Sequence, residues 1–190
     1  MQPIADGLWR WTARHPEWKA GAEPESPADW PPEVGCVAYE TTASVALIDP
    51  LVVDGWESLD ELVAGRPVSV LTTIGWHRRS RDEAIARYSA STARPAGVEA
   101  IELPEAGETI FWLPAPRALV PGDRIIGGDG GGLRLCPESW LRYLPSGIGL
   151  EELRGQLRPL LDLPVERVLV SHGEPVLERG RDALAEALAA

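Results

Sequence analysis

Histidine and cysteine are scarce: the 190-residue sequence holds three of the first and two of the second. Cys36 and Cys136 lie far apart and match no metal-binding spacing, so they are expected as free, buried thiols of a reducing cytoplasm. No apolar run reaches the roughly 20 residues that a membrane span requires. The opening MQPIADGLWRW lacks the basic start and apolar stretch of a secretory signal. Basic residues are outnumbered, 18 against 29, and the net charge of −11 argues against a nucleic-acid or anionic-membrane partner. Phenylalanine occurs once, whereas tryptophan occurs eight times, and tryptophan can pack while keeping an N–H donor in use.

The chain length suits a single domain over residues 1–190, large enough to bury most of its apolar surface. IADGLWRWT at 4–12 alternates as a strand does. Residues 13–33 carry Pro16, Pro24, Pro27, Pro31 and Pro32. That density forbids a helix or a central strand and predicts an ordered loop or lid, bearing Trp18 and Trp30. VGCVAYE and SVALI read as a hairpin ending at Asp49-Pro50. WESLDELVA at 56–64 reads as a helix, 67–73 as a strand, and 80–90 as a helix with a Ser80–Glu83 capping box. Strands follow at 98–103, 109–113, 117–120 and 124–127. GGDGGG at 127–132 then reads as a hairpin loop, since neither helix nor lysine follows to make a phosphate-binding loop. A helix over 150–162, a strand ending at 170 and a helix over 176–189 complete the chain.

Strands first, then alternating strand and helix, predict an α/β protein with a sheet-on-sheet core and helices outside, a four-layer αββα sandwich. Site residues are expected on turns after strand ends: Thr73 to Ser80, Pro121 to Arg124 and Ser171 to Pro175. These turns resemble the metallo-β-lactamase superfamily. Asp49 in VALIDP resembles that family's early IDP strand end, and VLTTIGWHRRS stands where the family has a strand leading into HxHxDH. PGDRII resembles the GD turn, which gives Asp123 the role of the bridging aspartate. VLVSHGEP resembles the late GHG turn, which places His172 on the last histidine ligand. The tryptophan-rich form resembles bacterial members.

The departure from that pattern is large. One alignment puts Ile74, Trp76, Arg78 and Arg79 at the four HxHxDH ligand positions. A shift by one residue places His77 at a ligand position but leaves Gly75, Arg79 and Ser80 at the others. No histidine falls between 104 and 117, where the family's middle ligand is expected, and only His15, His77 and His172 exist. The dinuclear site implied by the resemblance has too few ligands here, so the expectation is no metal cofactor. His77, Asp123 and His172 would at most supply a mononuclear zinc site of the three-ligand type.

A lone carboxylate in a dry cleft needs a cation, and Arg78 or Arg79 is expected to pair with Asp123. The other reading leaves both arginines in solvent and Asp123 capping a turn. His172, Asp123 and His77 are therefore the candidate catalytic residues, and Arg78, Arg79, Trp76 and Asp49 the candidate ligand-binding ones. Two functions stay open. One is a non-catalytic protein that binds a small anionic molecule in the former cleft. The other is an ester, thioester or phosphoester hydrolase using a residual metal or a metal-free His/Arg pair.

Overall fold

The computed structural model describes every residue except Asp129. Strands β1 (Gln2–Ala5) and β2 (Leu8–Arg14) form a hairpin across Asp6-Gly7, so the single opening strand expected from the sequence is two. Residues 15–32 then lead to β3 (Glu33–Glu40), β4 (Val45–Ile48), helix α1 (Glu57–Val63) and β5 (Val68–Leu71). These strands make one sheet in the order β1-β2-β3-β4-β5, with only the β4–β5 pair parallel.

Helix α2 (Arg81–Tyr88) leads into β6 (Glu99–Leu103), β7 (Glu108–Leu113) and β8 (Ala118–Val120). With β11 (Arg167–Val168) parallel to β8, they form a second sheet ordered β11-β8-β7-β6. The glycine-rich run joins β9 (Ile125–Gly127) and β10 (Leu133–Leu135) as an antiparallel pair. Helix α3 (Leu150–Leu157) gives way to a 3-10 turn at Arg158–Asp162, because Pro159 supplies no N–H to continue it. Helix α4 (Gly180–Ala189) begins four residues later than the sequence pattern indicates.

Side-chain alternation builds the layers. Val37, Tyr39, Ala46, Ile48 and Leu71 of the first sheet meet Phe111, Leu113, Ala118 and Val120 of the second. Their neighbours Ala38, Val45, Leu47 and Val70 face Leu59 and Val63 of α1 and Ala84 of α2. On the far side, Ile110, Trp112 and Leu119 pack on Leu153 and Leu157 of α3 and Leu184 and Leu188 of α4. Both faces of the central strands are apolar, as a sheet covered on both sides requires. The result is the αββα sandwich, with the turns after β4, β5, β8 and β11 gathered at one end.

The capping box at α2 does not form. The Ser80 hydroxyl instead accepts the Val52 N–H at 3.0 Å, which ties the start of α2 to the chain after β4. Among the described residues, no helix is long and apolar enough to cross a membrane.

Candidate functional site

Asp49 ends β4 with φ of 48°, a left-handed conformation that aspartate tolerates better than most residues. This bend turns its carboxylate onto the next strand's exit. Oδ1 accepts the Thr73 N–H at 2.9 Å, and Oδ2 accepts the Thr73 hydroxyl and lies 2.9 Å from His77 Nδ1. The His77 ring is thereby fixed from behind, with Nε2 facing forward. Nε2 stands 3.0 Å from Asp123 Oδ1, and His172 Nε2 stands 3.3 Å from the same oxygen. Trp76 donates its indole N–H to Asp123 Oδ2 at 2.6 Å. Of the two alignments weighed for this turn, the one placing His77 in the site is the one the structure adopts.

His77, Asp123 and His172 are all buried, and among the described residues they offer three ligand atoms within 4.8 Å of one another. Both approaches of imidazole nitrogen to Asp123 Oδ1 lack the alignment of a hydrogen bond, and Oδ1 is buried without a hydrogen-bond partner. Three atoms therefore converge on a shared point instead of pairing. Two ligand atoms each about 2.0–2.1 Å from a tetrahedral ion stand roughly 3.3 Å apart. The observed 3.0 and 3.3 Å match that edge, so these residues fit a single zinc-like cation.

Charge is distributed unevenly across the cluster. Burial pushes the His77 imidazole down, but the Asp123 and Asp49 carboxylates outweigh it and hold its pKa up at about 9. Burial would raise Asp123, yet the charge on His77 and the close approach of both imidazoles hold it well below the usual carboxylate range. His172 is lowered, chiefly by burial.

The expected arginine–Asp123 pair does not form, and this corrects the sequence reading. Asp123 already has an indole and two imidazoles against it, which leaves no free edge for a guanidinium. Arg78 is exposed and turned away from the cavity. Arg79, at φ of 41°, threads inward and donates to Gly35 O at 2.9 Å, Asp49 O at 3.0 Å and Ser171 Oγ at 2.6 Å. It clamps the turn bearing His172 to the turn bearing Asp49. Arg79→Ala is expected to cost about 2 kcal/mol, because two carbonyls and a hydroxyl lose a charged donor at a half-buried position. Urea unfolding of the variant measures it.

Three supporting residues were not singled out in the sequence. Arg10 donates to Gly173 O at 3.2 Å and holds the His172 turn from its other side. Glu108 accepts the N–H groups of Gly122, Asp123 and Arg124 at 3.0, 2.8 and 2.9 Å and so shapes the turn that presents Asp123. Arg124 is fully buried, donates to Ala106 O at 2.8 Å, and lies 5.5 Å beneath the Trp76 ring. Arg10 and Glu108 had a signal: each occupies an inward register position of its strand, level with Leu8 and with Ile110 and Trp112 respectively. A charge there needs a dedicated partner.

A cavity of about 310 Å³ opens in front of the cluster, walled by Trp30, Trp76, Trp140, Tyr143 and Val34, with His15 and Glu17 at its edge. Trp30 and Trp140 set their rings edgewise to His172, at centroid separations of 5.7 and 5.5 Å. The proline-rich segment thus covers the site as expected for Trp30. Trp18 stands behind it, donating its N–H to Trp30 O at 2.8 Å. Trp140 Nε1–H, donated to Ser26 O at 3.2 Å, and the Ser139 hydroxyl, donated to Glu25 O, anchor the segment.

No family model and no curated protein matches the sequence. Solved structures do resemble the fold. A metallo-β-lactamase from Pontibacter korlensis superposes with a TM-score of 0.61 at 14% identity, covering 99% of this chain and 97% of that one. A metallo-β-lactamase from Erythrobacter litoralis gives 0.57 at 17% identity, covering 99% and 93%. A metallo-β-lactamase family protein from Thermus thermophilus gives 0.52 at 16% identity, covering 98% and 80%. Full-length superposition and the αββα layering together establish that this chain has the metallo-β-lactamase fold.

Proposed function

We propose that the chain is a hydrolase holding one divalent cation, of which zinc fits best, on His77, Asp123 and His172, and acting on a small, largely apolar ester or thioester. The observation that carries this reading is the convergence of His77 Nε2, Asp123 Oδ1 and His172 Nε2, with Oδ1 buried and unpaired. Asp49, fixed by Thr73, accepts the Nδ1–H of His77 and keeps Nε2 available, the role a carboxylate plays behind a metal-binding histidine. Trp76 occupies Asp123 Oδ2 and leaves Oδ1 to the cavity. A cation so held supplies Lewis-acid polarisation of a carbonyl and a water of lowered pKa. The aromatic walls exclude bulk water and receive an apolar substrate body. Arg79 turns both terminal nitrogens to protein acceptors and buries its Nε, which argues against an anionic substrate. This reading has one cation and not two, since Gly75, Arg79 and Ser80 stand at the other positions where the resembled pattern needs ligands.

A second reading rests on the ion pairs of His77. With Asp49 at 2.9 Å and Asp123 at 3.0 Å, a protonated imidazole is itself a permanent cation between two carboxylates. The cavity would then be a non-catalytic binding site that needs no metal.

Metal analysis of protein purified without chelator separates the two. The expected result is one zinc per chain, lost on chelation and in His172→Ala, with ester or thioester turnover that disappears on chelation and returns with zinc. A protein free of metal that takes up no added zinc would leave only the second reading.

A further inference from the structure

The turn from Thr73 to Arg79 has a second side. Behind it a groove of about 540 Å³ opens away from the tryptophan-lined cavity, and Thr73, Ile74 and Gly75 form part of its wall. Arg78 from the turn, Arg81 from the start of α2 and Arg94 from the loop before β6 all line it. Gathering three guanidinium groups is unfavourable in itself, and the N-terminal end of α2 adds positive potential. In a chain of net charge −11, this concentration of cations is local and does not follow from composition.

The carboxylates that line it, Glu102 and Glu108, offset it in part but are turned to other donors and form no ion pair with these arginines among the described residues. Glu108 reaches the groove wall, but its oxygens are turned to the amides of Gly122 to Arg124. Glu102 accepts the Thr109 hydroxyl at 2.7 Å. Arg81 contacts the exposed Asp82 at 2.9 Å, an arrangement worth little in water. Arg94 donates to Val98 O, and Arg78 has no ion pair among the described residues. Thr72, also in the wall, has a hydroxyl without a hydrogen-bond partner.

We propose that this groove is a binding site for a small, multiply charged phosphate compound, a phosphate ester or polyphosphate, gripped by Arg78, Arg81 and Arg94. Planar guanidinium forks match phosphate oxygens two at a time, and several forks around one groove favour an anion of more than one charge. The volume suits a small molecule. The site is separate from the His77–Asp123–His172 cluster and does not depend on a metal there. It moves the anion-binding role expected of Arg78 to a different cavity.

Calorimetric titration of metal-stripped protein with inorganic pyrophosphate tests it. One site per chain is expected, with affinity falling steeply as salt rises. Arg78→Ala and Arg94→Ala should each weaken it about tenfold or more, equal to about 1.4 kcal/mol. Arg134→Ala, which removes the same charge from exposed β10, should leave it unchanged, as should His172→Ala. Because Arg78 and Arg94 are exposed, both variants are expected to fold. Absence of pyrophosphate binding would overturn the proposal, as would equal loss in Arg134→Ala or survival of binding in the combined arginine variant. Loss in His172→Ala would move the anion to the other cavity, and succinate binding as tightly as pyrophosphate would overturn the phosphate assignment.

Discussion

Glu108→Ala should lower the free energy of unfolding by about 4 kcal/mol near pH 5. Three buried backbone N–H groups end on this one carboxyl, and each buried donor left without a partner costs about 1–3 kcal/mol. The loss should shrink as pH rises. Burial pushes the Glu108 carboxyl up to about 7 from an ordinary 4.5, against the opposing pull of Arg124 and the backbone donors. A raised folded pKa means that stability is fully present below 4.5 and lost as pH rises through 7. The wild-type protein thus gives up roughly 2–3 kcal/mol from this group by pH 8, a penalty the alanine variant escapes. Denaturant titrations of both proteins across this range should show the difference narrowing to about half. A constant difference would mean that Glu108 stays ionised throughout.

The metal-free protein should also lose about 3 kcal/mol of stability between pH 6.5 and 9 through His77. Its folded pKa of about 9 lies above the ordinary 6.5, so the stabilisation is complete below 6.5 and disappears as pH climbs through 9. Asp123 acts in the opposite sense. Its folded pKa lies well below the ordinary 3.8, so its contribution is present above 3.8 and lost on further acidification. Together with Glu108, whose contribution is lost above 4.5, these groups place maximal stability of chelator-treated protein between about pH 3.8 and 4.5. His77→Gln removes the imidazole's titration and should flatten the alkaline limb. An unaltered limb in that variant would assign the pH dependence elsewhere.

The layers and the site's location were legible in the sequence because they depend on patterns of residue type. The near-continuous apolar runs at 34–40 and 109–113 report strands covered on both faces, and the turns at Asp49, Asp123 and His172 follow strand ends. Boundaries were less legible. The opening hairpin turns at Asp6-Gly7 within a run that alternates on both sides, and the late start of α4 reflects packing that periodicity does not record. Ser80 illustrates the limit well, since its neighbours spell a capping box while its hydroxyl is taken by Val52, 28 residues away.

The partner of Asp123 was misread for a related reason. Counting nearby cations in the sequence favours Arg78 and Arg79, but side-chain direction on a tight turn is set by backbone angles. With Arg79 in a left-handed conformation, His77 faces Asp123 while Arg78 points the other way. One residue of register decides whether imidazole or guanidinium reaches the carboxylate, and two alignments differing by one residue could not resolve it.

The seam between Val34 and His172, together with the Gly35 N–H donated to Ser171 O at 2.7 Å, bears on how the protein is made. Residues far apart along the polymer must meet before the three donor atoms face each other. A nascent chain that has emerged from the ribosome only through β10 carries His77 and Asp123 but not the last imidazole, nor the turn that Arg10 and Arg79 grip. Translation therefore delays assembly of the pocket until the turn bearing His172 has been made and can reach β3.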